Sequence, residues 1–160
     1  MTARQNKELM ERIFIELAKG NSLPFVESMA DEFSWTIPGT TKWSKTYRGK
    51  QAVLAELFAA LRATLAPPIA VEAFRFIADD DYVAVEARGR NATKAGLPYN
   101  NTYCYVFRLA GGKLQEVTEY MDTQLVNAAL GDQPSLSSAA EGGQSISSGE
   151  ESRSRASAQD

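Results

Sequence analysis

The sequence predicts one α+β domain in which helices come first and an antiparallel sheet comes last. Apolar residues recur at three- and four-residue spacing in the first part of the chain, which is the pattern of amphipathic helices. After Pro67 and Pro68 the apolar period changes to two, which is the pattern of strands. Tight turns separate most of the later strands, so they are expected to pair as a meander and not as βαβ units.

Three helices are predicted ahead of the prolines. Thr2 and Gln5 fit a capping box before the first helix, which ends at Gly20. Ser22 is expected to cap a second helix that has Pro24 in its first turn and runs to about residue 30. The third helix follows Gly49 and ends before the two prolines. The apolar stripes that predict the first and third helices are Leu9, Met10, Ile13, Phe14, Leu17 and Ala18, and Val53, Leu54, Leu57, Phe58, Leu61 and Leu65.

Five strands and a last helix complete the prediction. The first strand, Phe33–Ile37, is closed by Pro38 and Gly39, and residues 40–50 form a polar loop that carries Trp43 and Tyr47. Asp122 is expected to cap a short helix that runs through Leu130. The remaining strands are predicted at Val71–Ile77, Tyr82–Arg90, Tyr99–Leu109 and Lys113–Met121, with turns at Asp79–Asp81 and Gly111–Gly112.

Composition excludes several kinds of chemistry. The chain has no histidine, so histidine-dependent triads and zinc hydrolase sites are excluded. Its one cysteine, Cys104, allows no intramolecular disulfide and no cysteine-cluster metal site, and we predict no cofactor and no metal. The run Asp79–Asp81 is interpreted as a turn and not as a metal loop. A net charge of −3 lacks the basic footprint that nucleic acid or an anionic membrane requires, so neither is expected as a partner.

The chain is expected to divide at residue 130. Residues 1–130 form the domain, and residues 131–160, with nine serines, four glycines and no aromatic residue, are predicted to be a disordered tail. The tail has five acidic and two basic residues, so the folded part is neutral. No apolar stretch approaches a membrane span, and the N-terminus lacks a signal-peptide pattern, so we predict a soluble cytoplasmic protein.

Three landmarks stand out in order, namely Ala30–Trp35, Trp43 with Tyr47–Lys50 and Val53, and Gly112–Leu114 with Glu119, Tyr120 and Asp122. Together they resemble the nuclear transport factor 2-like superfamily, and within it the SnoaL-like and ketosteroid-isomerase-like branch. The resemblance covers about residues 7–130. It implies a cone, with a strongly curved sheet wrapped around a long helix and an apolar pocket inside. It also implies a homodimer formed through the outer face of the sheet.

The catalytic residues of these relatives transfer only in part. The three positions of the isomerase machinery fall at Ile13, Ile37 and Tyr105, so activity by the ketosteroid isomerase mechanism is rejected. The Asp-Arg-Asp set of the limonene-epoxide hydrolase relatives falls near Glu86, Arg88 and Glu119. The acid/base aspartate of SnoaL-type cyclases aligns with Glu119 or with Asp122, and the sequence leaves that choice open.

Strand alternation gives each candidate side chain a face. Glu86 and Arg88 share one face of their strand, opposite Val83, Val85 and Ala87. The resemblance implies that the faces of Glu86, Tyr105 and Glu119 point into the cone. Tyr120 and Cys104 are expected to face outward, toward a dimer surface. The predicted pocket wall consists of Trp35, Ile37, Phe14, Tyr103, Phe107 and Met121.

These residues lead to a functional hypothesis. Glu119 is the expected general acid/base, Glu86 and Arg88 orient it or a water, and Tyr105 donates to a developing oxyanion. The ligand is expected to be a small apolar or aromatic molecule with oxygen functions, and the chemistry that of an isomerase, cyclase or hydrolase. Structural alternatives stay open: Glu86 and Arg88 pair within the sheet, and Glu119 binds a buried tyrosine hydroxyl. Trp43 and Tyr47 either cover the mouth of the pocket or pack against the helix end or the partner subunit. The functional alternative is a non-catalytic dimeric ligand-binding or protein-interaction module.

Overall fold

A computed structural model describes residues 1–136 and has the predicted α+β architecture. The remaining residues of the predicted tail, 137–160, lie outside the described part of the chain. The helices are α1 (Ala3–Ala18), α2 (Leu23–Ser28), α3 (Lys50–Ala52, Val53–Phe58 and Ala59–Thr64) and α4 (Thr123–Leu125 and Val126–Leu130). The strands are β1 (Met29–Thr36), β2 (Thr46–Arg48), β3 (Val71–Asp79), β4 (Tyr82–Gly89), β5 (Thr102–Ala110) and β6 (Lys113–Met121).

The strands form one curved, unclosed sheet in the order β2-β1-β6-β5-β4-β3. Strands β3 to β6 are the predicted antiparallel meander. The fully antiparallel sheet that was expected is corrected at one point, because β1 runs parallel to β6. β2, inside the predicted polar loop, pairs antiparallel with β1. Register shifts in β1, β3 and the β5–β6 pair bend the strands, which curves the sheet toward the helices.

The ends of the first two helices follow local hydrogen bonding. The Thr2 hydroxyl accepts from the Gln5 backbone N–H at 3.2 Å and the Gln5 side chain accepts from the Thr2 N–H at 2.8 Å, so the capping box is present. Ser22 occupies the N-cap position of α2 as predicted, but its side chain makes no capping hydrogen bond. The Asn21 side chain accepts from the Leu23 N–H instead. α2 ends at Ser28, earlier than predicted.

Two of the helices contain π-helical stretches that the apolar spacing did not predict. In α3 the Ala59 N–H donates to the Leu54 carbonyl, and after α4 the Gly131 N–H donates to the Val126 carbonyl, each five residues back. Such stretches are frequent at functional sites. Both stretches contribute side chains to the wall of one cavity between the helices and the sheet. These side chains are Leu57, Phe58, Val126 and Leu130.

The turns behave as the residue types require. Gly111 and Gly112 both have positive φ, 56° and 74°, which is the conformation of a tight hairpin turn between β5 and β6. Asp80 has φ 46° in the turn between β3 and β4. Asp122 caps α4 as predicted, because its carboxylate accepts from the backbone N–H groups of Gln124 and Leu125.

Candidate functional site

A cavity of about 600 Å³ lies between the concave face of the sheet and the helices. Its walls are mainly aromatic and aliphatic side chains contributed by α1, α2, α3, α4 and the inner face of the sheet. A volume in this range is typical of small-molecule sites. All six of the predicted wall residues line it: Trp35, Ile37, Phe14, Tyr103, Phe107 and Met121.

Glu119 is the one carboxylate in the cavity wall. It lies on the inner face of β6, directly opposite Tyr105 of β5, and only 8% of the residue is exposed. β1 runs beside β6 with Trp35 paired to Val117, so the indole of Trp35 stands next to the carboxylate two residues further along. The indole Nε1–H of Trp35 donates to Glu119 Oε2 at 2.7 Å. The neighbour of Glu119 is therefore an indole and not the tyrosine hydroxyl considered as an alternative.

Burial changes the acidity of Glu119. Removal from water raises its pKa from an ordinary value of 4.5 to about 7, while the hydrogen bond from Trp35 opposes the rise by stabilising the anion. Neither cause involves a cation, because no arginine or lysine among residues 1–136 lies close enough to pair with the carboxylate. A carboxyl group of this kind exists in both protonation states near neutral pH, which is the condition that general acid/base catalysis requires.

Three tyrosines line the wall beside Glu119: Tyr99, Tyr103 and Tyr105. The rings of Tyr103 and Tyr105 stack with centroids 5.1 Å apart, and Phe14 contacts Tyr105 from α1. Burial raises the pKa of Tyr103 and of Tyr105 well above the ordinary value, so both remain protonated donors. The Tyr105 hydroxyl has no hydrogen-bond partner within residues 1–136. Every fully buried side-chain nitrogen or oxygen among these residues has a partner, so this hydroxyl is not fully buried and faces the cavity that Tyr105 lines. It can donate to a ligand oxygen.

The structure does not bring Glu86 and Arg88 into this site. The prediction that they point into the cone is wrong, because β4 buries Val83, Val85 and Ala87 and turns the alternate residues outward. Glu86 pairs with Arg75 at 2.6 Å on the outer face. Arg88 is exposed there, with its guanidinium 5.2 Å from the ring centroid of Phe74. Burying Val83, Val85 and Ala87 is favourable, whereas Glu86 and Arg88 would lose their hydration if they faced the cavity.

One end of the cavity is closed by the segment that precedes β2. Trp43 is 2% exposed, lines the cavity, and donates its indole N–H to the Gly131 carbonyl at 3.0 Å. Tyr47 is equally buried but does not line the cavity, and its hydroxyl donates to the Trp43 carbonyl. The Gln133 side chain donates to the Tyr47 hydroxyl at 2.6 Å. Thus Gly131 and Gln133, at the start of the predicted tail, contact the domain.

Several residues of the cavity wall were not predicted from the sequence. Arg62, Asn91 and Tyr99 also line the cavity. Asn101, fully buried, holds Tyr99 and the end of β6 in place through its side chain. Arg62 follows Leu61 in the predicted apolar stripe of α3, which was the only sequence signal that could have placed it near the core. The two asparagines lie in an irregular connection, where periodicity gives no direction.

A metal-ligand cluster and a membrane-spanning helix each require features that the described residues lack. In the part of the chain that the structure describes, no three cysteine, aspartate or glutamate side chains lie close enough together to hold a metal ion. Over the same residues, no helix is long and apolar enough to cross a bilayer.

The curved sheet packed against the N-terminal helices has the α+β fold of the nuclear transport factor 2-like class. The family model described as a SnoaL-like domain matches residues 10–117. The chain therefore belongs to the SnoaL-like family, and the resemblance inferred from the three landmarks is confirmed. Among curated proteins, none gives a significant match.

Solved structures agree with the fold at low sequence identity. A putative SnoaL-like polyketide cyclase from Jannaschia is 22% identical, with a TM-score of 0.67 over 83% of this chain and 96% of the other. TerC, crystallised with polyporic acid, is 15% identical, with a TM-score of 0.65 over 78% and 97%. A Catenulispora acidiphila protein with a ketosteroid isomerase-like fold, in complex with trimethylamine, is 16% identical, with a TM-score of 0.63 over 78% and 93%. These similarities establish the fold.

Proposed function

We propose that the cavity binds a small, largely apolar molecule with oxygen functions and that Glu119 transfers a proton to or from it. The observation that carries the proposal is the position of Glu119, a buried carboxyl in an apolar cavity with no cation beside it. Relatives in the same fold have been solved with bound small molecules, polyporic acid and trimethylamine, which supports a ligand-binding role. The reaction type is that of an isomerase, cyclase or hydrolase.

The residues that contact the ligand have distinct roles in this proposal. Glu119, with its pKa near 7, accepts a proton from an activated carbon or directs a water, and returns the proton later. Trp35 orients the carboxylate through its 2.7 Å hydrogen bond. Tyr105, opposite Glu119, donates its free hydroxyl to an oxygen that becomes negative in the transition state. Glu86 and Arg88 have no role in this proposal, since they lie on the opposite face.

Ligand binding can be detected through the protein's own fluorescence. The chain has two tryptophans, and Trp35 and Trp43 both line the cavity. We expect a member of a panel of apolar ketones, epoxides, steroids and polyketide-like aromatics to change that fluorescence. At a hundredfold excess over its Kd it should also add about 2.7 kcal/mol to the free energy of unfolding.

Turnover of a ligand identified in this way tests the role of Glu119. The substitution Glu119→Gln keeps an acceptor for Trp35 but removes the exchangeable proton, so the rate should fall about 10²- to 10⁴-fold while binding changes little. Two matched controls, Glu116→Gln on the same strand and Glu86→Gln on the outer face, should leave the rate unchanged, because each of these residues forms an ion pair away from the cavity.

Other outcomes would revise the proposal. An unchanged rate in Glu119→Gln would remove the acid/base assignment. Tight binding by the wild-type protein without any product would favour the alternative, a non-catalytic ligand-binding protein. No response to any member of the panel would favour an interaction module, although Trp35, Tyr103 and Tyr105 line a space here instead of filling it.

We also propose that the protein forms a homodimer through the outer face of the sheet, as the resemblance implies. Large apolar side chains on β3, β4 and β6 are about half exposed on the side of the sheet away from the cavity. Exposed patches of this kind are typical of interfaces. These side chains are Phe74 (51%), Ile77 (60%), Tyr82 (46%) and Tyr120 (52%).

Sedimentation equilibrium tests the dimer. A glutamate at Tyr120 would place an unpaired charge in a buried apolar interface, so we expect Tyr120→Glu to be monomeric at concentrations where the wild type is a dimer. Leu97→Glu is the control, because Leu97 is equally exposed but lies in the connection between β4 and β5. A wild-type monomer at micromolar concentration, or a dimer unaffected by Tyr120→Glu, would contradict the proposed interface.

A further inference from the structure

We infer that the ligand is an amphipathic carboxylate, with its apolar body in the cavity and its single anionic group at Arg62 on the rim. The rim is the most exposed part of the cavity lining, formed by Ser22, Arg62, Pro67 and Pro68. This inference rests on the proposed function, because it names the class of molecule that the same cavity takes.

Two charged side chains line the cavity in the described part of the chain, and they lie at different depths. Glu119 is buried within the cavity, whereas Arg62, in the last turn of α3, is exposed. They are not an ion pair: no salt bridge joins them, and the acidity of Glu119 depends on burial and on Trp35 alone. A ligand that reaches from Glu119 to the rim would therefore meet a carboxyl group at one end and a guanidinium at the other.

The donors at the rim have no acceptor among the residues that the structure describes. Arg62 forms no salt bridge or hydrogen bond within residues 1–136, whereas Arg75 and Arg90 each pair with a glutamate on the outer part of the sheet. Ser22 is exposed on the same rim, and its hydroxyl does not cap α2 or bond elsewhere in the described chain. The rim therefore offers the guanidinium of Arg62, which suits a carboxylate, and a separate hydroxyl donor, that of Ser22.

Desolvation fixes the orientation of such a ligand. A carboxylate at Arg62 keeps much of its hydration, because the rim is open to solvent, while the apolar body gains from burial. In the reverse orientation the carboxylate would lie beside Glu119, with no cation to compensate for lost water and a second carboxyl group close by. The anionic group therefore stays outside, and the opposite end of the ligand faces Glu119 and Tyr105.

Two probes with the same apolar body separate charge from shape. We would titrate the protein with 1-pyrenebutyrate and with 1-pyrenebutanol and follow energy transfer from Trp35 and Trp43. The wild type should bind the acid about fivefold more tightly than the alcohol at low salt. Arg62→Gln should remove that preference and leave the affinity for the alcohol unchanged, while Arg62→Lys should retain part of it. Arg48→Gln, at an arginine exposed on β2 and outside the lining, is the matched control and should behave as wild type.

Ionic strength provides a second readout. The preference for the acid should diminish in 1 M NaCl, where charges at an exposed rim are screened within about 3 Å. Equal binding of both probes by the wild type, or a preference that survives Arg62→Gln, would overturn this inference and leave the proposed function intact. If neither probe binds, the cavity does not accept small apolar molecules of this size, and both the proposed function and the inference fail.

Discussion

Glu119→Gln should remove a large pH dependence from the stability of the domain. The pKa of Glu119 rises from 4.5 to about 7 on folding, so between these values the folded protein keeps a proton that the unfolded chain has lost. The stability from the neutral carboxyl is therefore fully present below pH 4.5 and is lost as the pH rises through 7. At about 1.4 kcal/mol for each pH unit, the loss amounts to about 3 kcal/mol. Glutamine does not ionise, so the variant avoids this loss.

The measurement is the free energy of unfolding by urea at several values between pH 4.5 and 8. As the pH rises from 4.5 to 8, the free energy of unfolding of Glu119→Gln should increase by about 3 kcal/mol relative to that of the wild type. The reason is that only the wild type must bury a charge at the upper end. Glu116→Gln is the control, since this residue pairs with Arg108 on the outer face and its neighbours stay solvated. Parallel curves for wild type and Glu119→Gln would mean that the carboxyl titrates normally and that the acid/base proposal loses its physical basis.

Local signals predicted the elements well because each depends on neighbouring residues. The capping box of Thr2 and Gln5, the Asp122 cap and the Gly111–Gly112 turn all involve contacts within three residues, and all are present. β2 was missed because its pairing with β1 depends on residues ten or more positions away, while its three residues carry no alternating pattern of their own. The parallel contact of β1 with β6 likewise joins distant parts of the chain.

The candidate site shows where a resemblance is weaker than a physical rule. Alternation predicted which side chains share a face, and the resemblance turned the faces of Tyr105 and Glu119 inward, where the structure has them. For β4 the same rule favours burial of Val83 and Val85, but the resemblance was used to turn Glu86 inward instead. The raised pKa of Glu119 also required the structure, because it depends on how completely the helices and Trp35 enclose one carboxyl.

Asn101 is the strongest example of a residue that sequence patterns could not identify. It lies in the irregular connection before β5, where asparagine is usually a surface turn residue, yet it is fully buried. Its side-chain oxygen accepts from the backbone N–H groups of Thr102 and Asp122, and its amide donates to the Asp122 carbonyl and to the Tyr99 hydroxyl. One side chain therefore fastens the start of β5 to the end of β6, next to the tyrosines of the cavity.

Asn101→Ala should destabilise the domain by about 2 to 4 kcal/mol, because the backbone N–H groups of Thr102 and Asp122 lose their acceptor at about 1 to 3 kcal/mol each, reduced by partial access of water. The Asp122 carbonyl keeps the Val126 N–H as a donor. Urea unfolding below pH 4.5, where Glu119 is protonated in both the folded and the unfolded chain, measures the change without interference from its titration. The neighbouring Asn100→Ala is the matched control: Asn100 is exposed and accepts one hydrogen bond, from the Asn91 backbone, so its loss should be near 1 kcal/mol. Equal effects of the two substitutions would show that Asn101 is an ordinary turn residue.

Asn101→Asp replaces the alanine variant if Asn101→Ala proves too unstable to purify. It keeps the two acceptor contacts but loses the amide donor. At low pH, where the new carboxyl is neutral, its stability should lie between that of the control and that of the alanine variant.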